Sequence, residues 1–257
     1  MTGDGPILAG KVAIVTGGGG GIGSVFGREL AARGASVVLA DRRAEAAEAA
    51  AKDLADRGLA VTGVGVDVTD AVSVREMAGQ AADRFGGVDI LVNAAALMSE
   101  IPYQPLVDYP LDWWDKIMAV NVKGALVCAQ AAVPLMRQRG GGKIVNIASA
   151  GAFSPAGPYG ISKYALVSLT LNLAHQLGAD GINVNAIAPG LVIDEAGYKS
   201  LPDGQARDAL RSIVPLTTHV EGPPEDLVGP LLLLVSDAGA WITGQTISVD
   251  GGWILRY

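Results

Sequence analysis

A chain of 257 residues, half of them hydrophobic, is long enough to bury a sizeable core in one α/β domain, and few aromatics beside 35 glycines suit short strands packed under helices, not a disordered or fibrous chain. A formal charge of -7 with no run of lysine or arginine excludes the electrostatic footprint of a nucleic-acid binder or of a protein held on an anionic membrane surface. The single cysteine, Cys128, excludes an internal disulfide framework or thiolate metal site and reads as packing within an apolar helical stretch.

Strand and helix patterns alternate along the chain. Residues 11–16 form a short β-branched strand, followed by a glycine cluster and helical spacing over 22–33 that Gly34 stops. A second strand, 36–40, ends at Asp41, and 44–57 is an alanine-rich charged helix. Strand 60–66, helix 71–85 entered through Asp67 and Asp70, strand 89–92 and a long helix over 111–139 follow. Strand 143–147, helix 159–177, strand 182–188, a helix opened by Pro223 and Pro224, and strand 246–249 complete the pattern. Such alternation requires right-handed crossovers, so the expected fold is α/β: a Rossmann-type, doubly wound parallel sheet of about seven strands with helices on both faces. One domain over 1–257 is expected, with 191–222, a mixed segment beyond a strand's carboxyl end, covering the substrate. The first ten residues lack the basic start and apolar run of a signal peptide. The longest candidate span, 227–235, is too short for a membrane, so a cytoplasmic chain without a membrane partner is expected.

Thr16-Gly17-Gly18-Gly19-Gly20-Gly21-Ile22-Gly23 joins the first strand to the first helix, the context a dinucleotide fingerprint requires. Glycines let the backbone approach a pyrophosphate, and the helix start offers unpaired N–H groups, which makes Gly17, Gly21, Ile22 and Gly23 candidate cofactor contacts. Asp41, about 20 residues further on, is placed to accept both adenosine ribose hydroxyls, which favours NAD(H) over NADP(H). It also reads as a carboxylate capping a turn, and Arg42 or Arg43 could meet a 2′-phosphate that Asp41 would repel. Asp67 and Val68 are placed to flank adenine, with Asp67 equally readable as a helix cap.

With these features in view, the chain resembles over nearly its whole length the compact short-chain dehydrogenase/reductases. The resemblance rests on the glycine loop, Asn93-Ala94-Ala95-Ala96, Asn121-Val122-Lys123-Gly124, Ser149, Tyr159 with Lys163, Pro189-Gly190, Thr243-Gly244-Gln245 and Val249-Asp250-Gly251-Gly252. Tyr159 and Lys163, four apart at a helix start, project from one face. The resemblance implies Tyr159 as general acid/base, its phenol brought down from about 10 by the Lys163 ammonium and the nicotinamide. It implies Ser149 as hydrogen-bond partner of the substrate oxygen, and Asn121 as the residue that kinks the long helix and holds a water in a proton relay to Lys163. Further implied cofactor contacts are Asn93, Ala94, Tyr159, Lys163, Pro189, Gly190 and Val192. The implied activity is NAD-dependent interconversion of a secondary alcohol and a ketone by hydride transfer. The implied assembly is a homotetramer through 111–139, 159–177 and the tail Trp253-Ile254-Leu255.

Three departures from the family pattern stand out. Ser149 and Tyr159 are ten apart, about three fewer than in many relatives, which trims the substrate wall. Asp194 stands where a carboxamide-binding Thr is usual, and three alanines, 94–96, replace a motif where Gly is common. Leu97, Met98, Phe153, Pro155, Leu191, Val192 and Tyr198 are the expected pocket side chains, pointing to an apolar alcohol or ketone as the small-molecule partner. No metal is expected, because no His, Asp and Glu group shows ligand spacing; His175 and His219 are not placed for proton transfer. Two alternatives are a non-catalytic dinucleotide sensor, which would not need Ser149, Tyr159, Lys163 and Asn121, and an NADP-dependent carbonyl reductase.

Overall fold

The computed structural model describes residues 6–192, 208, 212–216 and 221–255. At its centre lie seven parallel strands: β1 (Val12–Thr16), β2 (Ser36–Asp41), β3 (Val61–Gly65), β4 (Ile90–Asn93), β5 (Gly142–Ile147), β6 (Ile182–Pro189) and β7 (Thr246–Val249). Their order is β3-β2-β1-β4-β5-β6-β7. Successive residues on a strand face opposite sides of a sheet, and a sheet covered on both sides therefore needs apolar residues at nearly every position. β1 shows this: all five residues are buried. Ile14, Val38, Leu91, Ile144 and Val184 pack on one side with Met77 of α3 (Ala71–Phe85), Cys128 and Met136 of α5 (Gly124–Gln138) and Leu177 of α6 (Gly157–Leu177). Their neighbours Ala13, Val15, Val37, Leu39, Val92 and Val145 pack on the other with Phe26 and Leu30 of α1 (Gly21–Ala32), Leu54 of α2 (Ala44–Asp56) and Leu231 of α7 (Val228–Val235). Strand order reverses between β1 and β4, so their carboxyl ends open a crevice at the switch point.

The expected long helix is interrupted. α4 (Leu111–Met118) and α5 are joined by one π-helical turn, Ala119–Lys123, centred on Asn121. The whole run Leu111–Gln138 is long and apolar enough by length and composition to cross a membrane, with a mean hydropathy of 1.4 in its most apolar window, where the sequence reading finds no such segment. Half of that window is buried inside the molecule, as a helix packed on a sheet requires. α6 starts two residues earlier than expected, with Pro158 in its first turn, where a missing N–H costs nothing. A 3₁₀ turn, Pro224–Leu227, precedes α7, and two others, Leu106–Asp108 and Ala150–Phe153, follow β4 and β5. Val192 and Gly222 form a parallel bridge, and the Gly222 N–H donates to the Leu191 carbonyl at 3.0 Å. Asp194, Tyr198, His219 and most of 191–222 lie outside the described residues.

Candidate active site

The glycine loop sits at the switch point. Gly17 and Gly21 take φ of 68° and 51°, the left-handed region that glycine enters without strain. A Cβ at Gly23 would lie 2.2 Å from the Gly17 carbonyl oxygen, so the loop can fold back onto α1 only with glycine there. Ile22, in the first turn of α1, is half-buried against the core. A Cβ at Gly20 would meet only an Arg43 guanidinium nitrogen, at 3.6 Å, which marks the open side of the cradle. No side chain caps the start of α1, leaving its first N–H groups for an anion. A dinucleotide pyrophosphate fits this cradle.

Asp41 joins the loop to β2. Its Oδ2 accepts from the Gly19 N–H at 3.1 Å and its Oδ1 from the Arg43 N–H at 3.0 Å, so the carboxylate caps a turn while facing the cradle. The structure separates the two arginines. Arg43 reaches over Gly20 with its Nε 3.8 Å from Asp41 Oδ1, whereas the charge of Arg42 acts on Asp67. The Thr69 hydroxyl and N–H, donating at 2.7 and 2.8 Å, hold Asp67 below the usual carboxylate range, with Arg42 adding to them. Asp70, not Asp67, caps α3 by accepting from the Val72 N–H. Val68 is buried against Gly124.

Thr16, not singled out from the sequence, ties the crevice together. Its buried Oγ1 accepts from the Ala94 and Ala95 N–H groups, both at 3.2 Å. The only sequence signal for it is its place at the end of β1, immediately before the glycines. Asn93 is turned inward: its Nδ2 donates to Asn146 Oδ1 at 2.9 Å and to the Ala125 carbonyl at 3.4 Å. Pro189 ends β6, and Gly190 lies tight against the end of β7, where a Cβ would be 2.6 Å from Asp250 Cα. Val192 packs on the core behind them.

The first turns of α6 bring Tyr159 and Lys163 to the same edge. Lys163 is 2 % exposed; its Nζ donates to the Ile147 carbonyl at 2.7 Å and stands 5.6 Å from the centre of the Tyr159 ring. Burial pushes this ammonium down to about 8. The Ser149 oxygen, at the end of β5, accepts from the Gly151 N–H at 3.0 Å and keeps its own hydrogen to donate. A Cβ at Gly151 would lie 3.3 Å from Ser149 Oγ and 3.9 Å from Tyr159 Cδ1, so the two side chains converge on one spot. The trimmed loop between them packs directly on α6: a Cβ at Gly160 would be 2.5 Å from the Gly151 carbonyl oxygen.

Asn121 is a clamp. Its Oδ1 accepts from the Leu97 N–H at 2.8 Å; its Nδ2 donates to the Leu97 carbonyl at 3.2 Å and to Ser162 Oγ at 3.0 Å. Ser162 Oγ in turn donates to the Tyr159 carbonyl at 2.7 Å. Both amide hydrogens are spent, so this side chain joins the π turn to the loop after β4 and to α6. Leu97, Met98 and Phe153 are half-buried along this side, with Phe153 edge-on to Tyr164 at 6.0 Å, while Pro155 is exposed. His175 is exposed, four turns from Tyr159 on α6. Burial pushes the Cys128 thiol up to about 12, as for an inert core cysteine.

The family model described as enoyl-(acyl carrier protein) reductase matches residues 17–254. An oxidoreductase of Mycobacterium tuberculosis is 44 % identical over 246 residues, 96 % of this chain and 98 % of its own. The D-threitol dehydrogenase of Mycolicibacterium smegmatis is 38 % identical over 253 residues, 97 % of this chain and 95 % of its own. A solved structure from Beutenbergia cavernae, described as an NAD(P)-dependent gluconate 5-dehydrogenase with NADP bound at low occupancy, superposes with a TM-score of 0.88 at 34 % identity, covering 97 % of this chain and 99 % of that one. Sequence likeness and sheet likeness thus run together over almost the full length of the chain. It is an oxidoreductase and belongs to the short-chain dehydrogenase/reductase family.

Proposed function

We propose that this chain interconverts a secondary alcohol and a ketone with NAD(H), Tyr159 acting as general acid/base. One observation carries the reading: the buried Lys163 ammonium stands 5.6 Å from the centre of the Tyr159 ring, and the Gly151 backbone neighbours both Ser149 Oγ and the Tyr159 ring. The nicotinamide, when bound, supplies or accepts the hydride at the substrate carbon. At the oxygen, Ser149 donates a hydrogen bond, which polarises a carbonyl or steadies an alcohol. The Tyr159 hydroxyl gives or takes the proton there. Lowering a phenol from about 10 towards neutrality needs roughly 3 to 4 kcal/mol in favour of phenolate, and a positive charge behind the ring in a dry setting is a suitable source. Asn121 contributes by holding Leu97, Ser162 and Tyr159 in one frame, beside the water-holding role that the resemblance implies for it.

Asp41 supports NAD(H) over NADP(H), since a 2′-phosphate would face its carboxylate, with Arg43 the counterweight. The chain acts in this reading as one cofactor-binding domain with 191–222 over the substrate. Leu97, Met98 and Phe153 support an apolar substrate, while the names of the threitol and gluconate relatives make polyols the contrasting class to assay.

The test is fluorescence titration with NADH and NADPH, then turnover on cyclic and aryl ketones, secondary alcohols and polyols. Tyr159→Phe is expected to lose ~1,000-fold in kcat with NADH affinity changed less than about twofold. Turnover by Tyr159→Phe near that of the natural chain, or failure of the natural chain to bind either nucleotide, overturns the reading.

A further inference from the structure

Three of the buried polar side chains, Asn93, Asn146 and Thr170, form a line from β4 across β5 to α6. Asn93 Nδ2 on β4 donates to Asn146 Oδ1 on β5 at 2.9 Å, Asn146 Nδ2 donates to Thr170 Oγ1 on α6 at 2.9 Å, and Thr170 Oγ1 donates to the Leu166 carbonyl at 2.8 Å. Asn146 and Thr170 are 0 % exposed. On energy alone such a set is a poor choice, because apolar groups of the same shape on both sides of a buried hydrogen bond cost little or nothing. What the polar set provides is direction, since a hydrogen bond fixes the offset of two elements along each other and apolar contact lets them slide.

The offset it fixes is that of α6 on β5. Asn146 immediately precedes Ile147, whose carbonyl accepts the Lys163 ammonium. Thr170 is seven residues beyond Lys163, about two turns along the same face of α6. The helix is therefore pinned to the strand twice, once by Lys163 on Ile147 and once by Thr170 on Asn146. Its N-terminus has no side-chain cap, and its other polar tie, Ser162 to Asn121, runs to the π turn and not to the strand that carries Ile147. Lys163 also has little else to hold it. Its one side-chain hydrogen bond among the described residues is to the Ile147 carbonyl, and the neighbouring Tyr164 turns to Phe153. A small slide of α6 would break the Lys163–Ile147 bond and move the ammonium relative to the Tyr159 ring.

We infer that Asn146 and Thr170 are positioning residues, which hold α6 in register on β5 so that Lys163 stands behind Tyr159; this rests on the acid/base reading of Tyr159 given above. The experiment follows the Tyr159 phenol by near-ultraviolet phenolate absorbance of the full chain, subtracting the Tyr159→Phe titration to isolate its signal. The pH profile of kcat and NADH affinity are measured alongside. Tyr159 of the natural chain titrates below the free value of about 10. Thr170→Val raises it by about one unit and shifts the kcat profile the same way, with NADH affinity within about twofold because the glycine loop is untouched. Thr170→Ser, which keeps the hydroxyl, restores both. Should Thr170→Val fold poorly for want of a partner for Asn146, Thr170→Ala removes the bond while leaving space for a water to take the Asn146 donor, and raises the Tyr159 titration likewise. Variants that lower the melting temperature yet leave the Tyr159 titration and the kcat profile unchanged overturn the inference alone. A natural chain whose Tyr159 titrates at the free value overturns the acid/base reading itself, and the inference with it.

Discussion

Burying an ammonium is expensive, and Lys163 bears that expense with one carbonyl for compensation. Its ordinary value is 10.5 and burial pushes it to about 8, so between these values the folded chain holds fewer protons on this side chain than the unfolded chain. Stability contributed by this group is therefore greatest above pH 10.5 and falls as the pH drops through 8, below which the folded state carries the whole penalty, about 3 kcal/mol. Lys163→Met is expected to abolish turnover while melting higher than the natural chain at pH 7. The excess, on the order of 5 to 10 °C, shrinks by pH 10, where the lysine is largely neutral. Melting curves at the two pH values check this, and an offset that does not change with pH would mean that Lys163 carries no such penalty.

At the scale of elements, the turn from β1 into α1 is the tightest contact in the site, and Gly23 decides it. Gly23→Ala brings a methyl carbon to within 2.2 Å of the Gly17 carbonyl oxygen, so the loop must move off the helix. At least a tenfold loss of NADH affinity is expected from fluorescence titration, with the sheet intact by circular dichroism; unchanged affinity would remove the loop from the cofactor site. This turn was legible in the sequence, because a glycine run between a β-branched strand and an amphipathic helix has few other uses, and so was the alternation that gives seven parallel strands. The convergence of Tyr159 and Lys163 on one edge was legible too, since i,i+4 spacing is a property of the helix itself. The internal partners were not: Asn146 meets Thr170 24 residues away and Asn121 meets Ser162 41 residues away, pairings that no local pattern encodes. The π turn was hidden for a related reason, since a single widened turn leaves the apolar spacing on either side of it helical. Asp41 carried two readings in the sequence, and its carboxylate serves the turn and faces the cradle at once.

At the scale of the molecule, a groove of about 440 Å³ lies beside the π turn, lined by Met118, Val122, Leu126 and Leu169 between Asp115 and Lys123. Ile161, Tyr164 and Leu171 are also exposed on α6. Apolar surface of this kind is what association of two copies through α4, α5 and α6 would cover. Leu126→Glu is expected to lower the mass measured by light scattering to that of a smaller assembly, and an unchanged mass would place the interface elsewhere. The bridge between Val192 and Gly222 has a different consequence, for how such a protein changes over generations. The two ends of the intervening stretch are fastened to each other by this bridge and by the Gly222 N–H to Leu191 carbonyl bond, so the chain is closed at the base of that stretch. Doubling the length of a flexible connection costs only about 0.6 kcal/mol. Changes of length between these two residues should therefore cost the closure little, so that this part of the chain can vary over generations while the sheet is inherited.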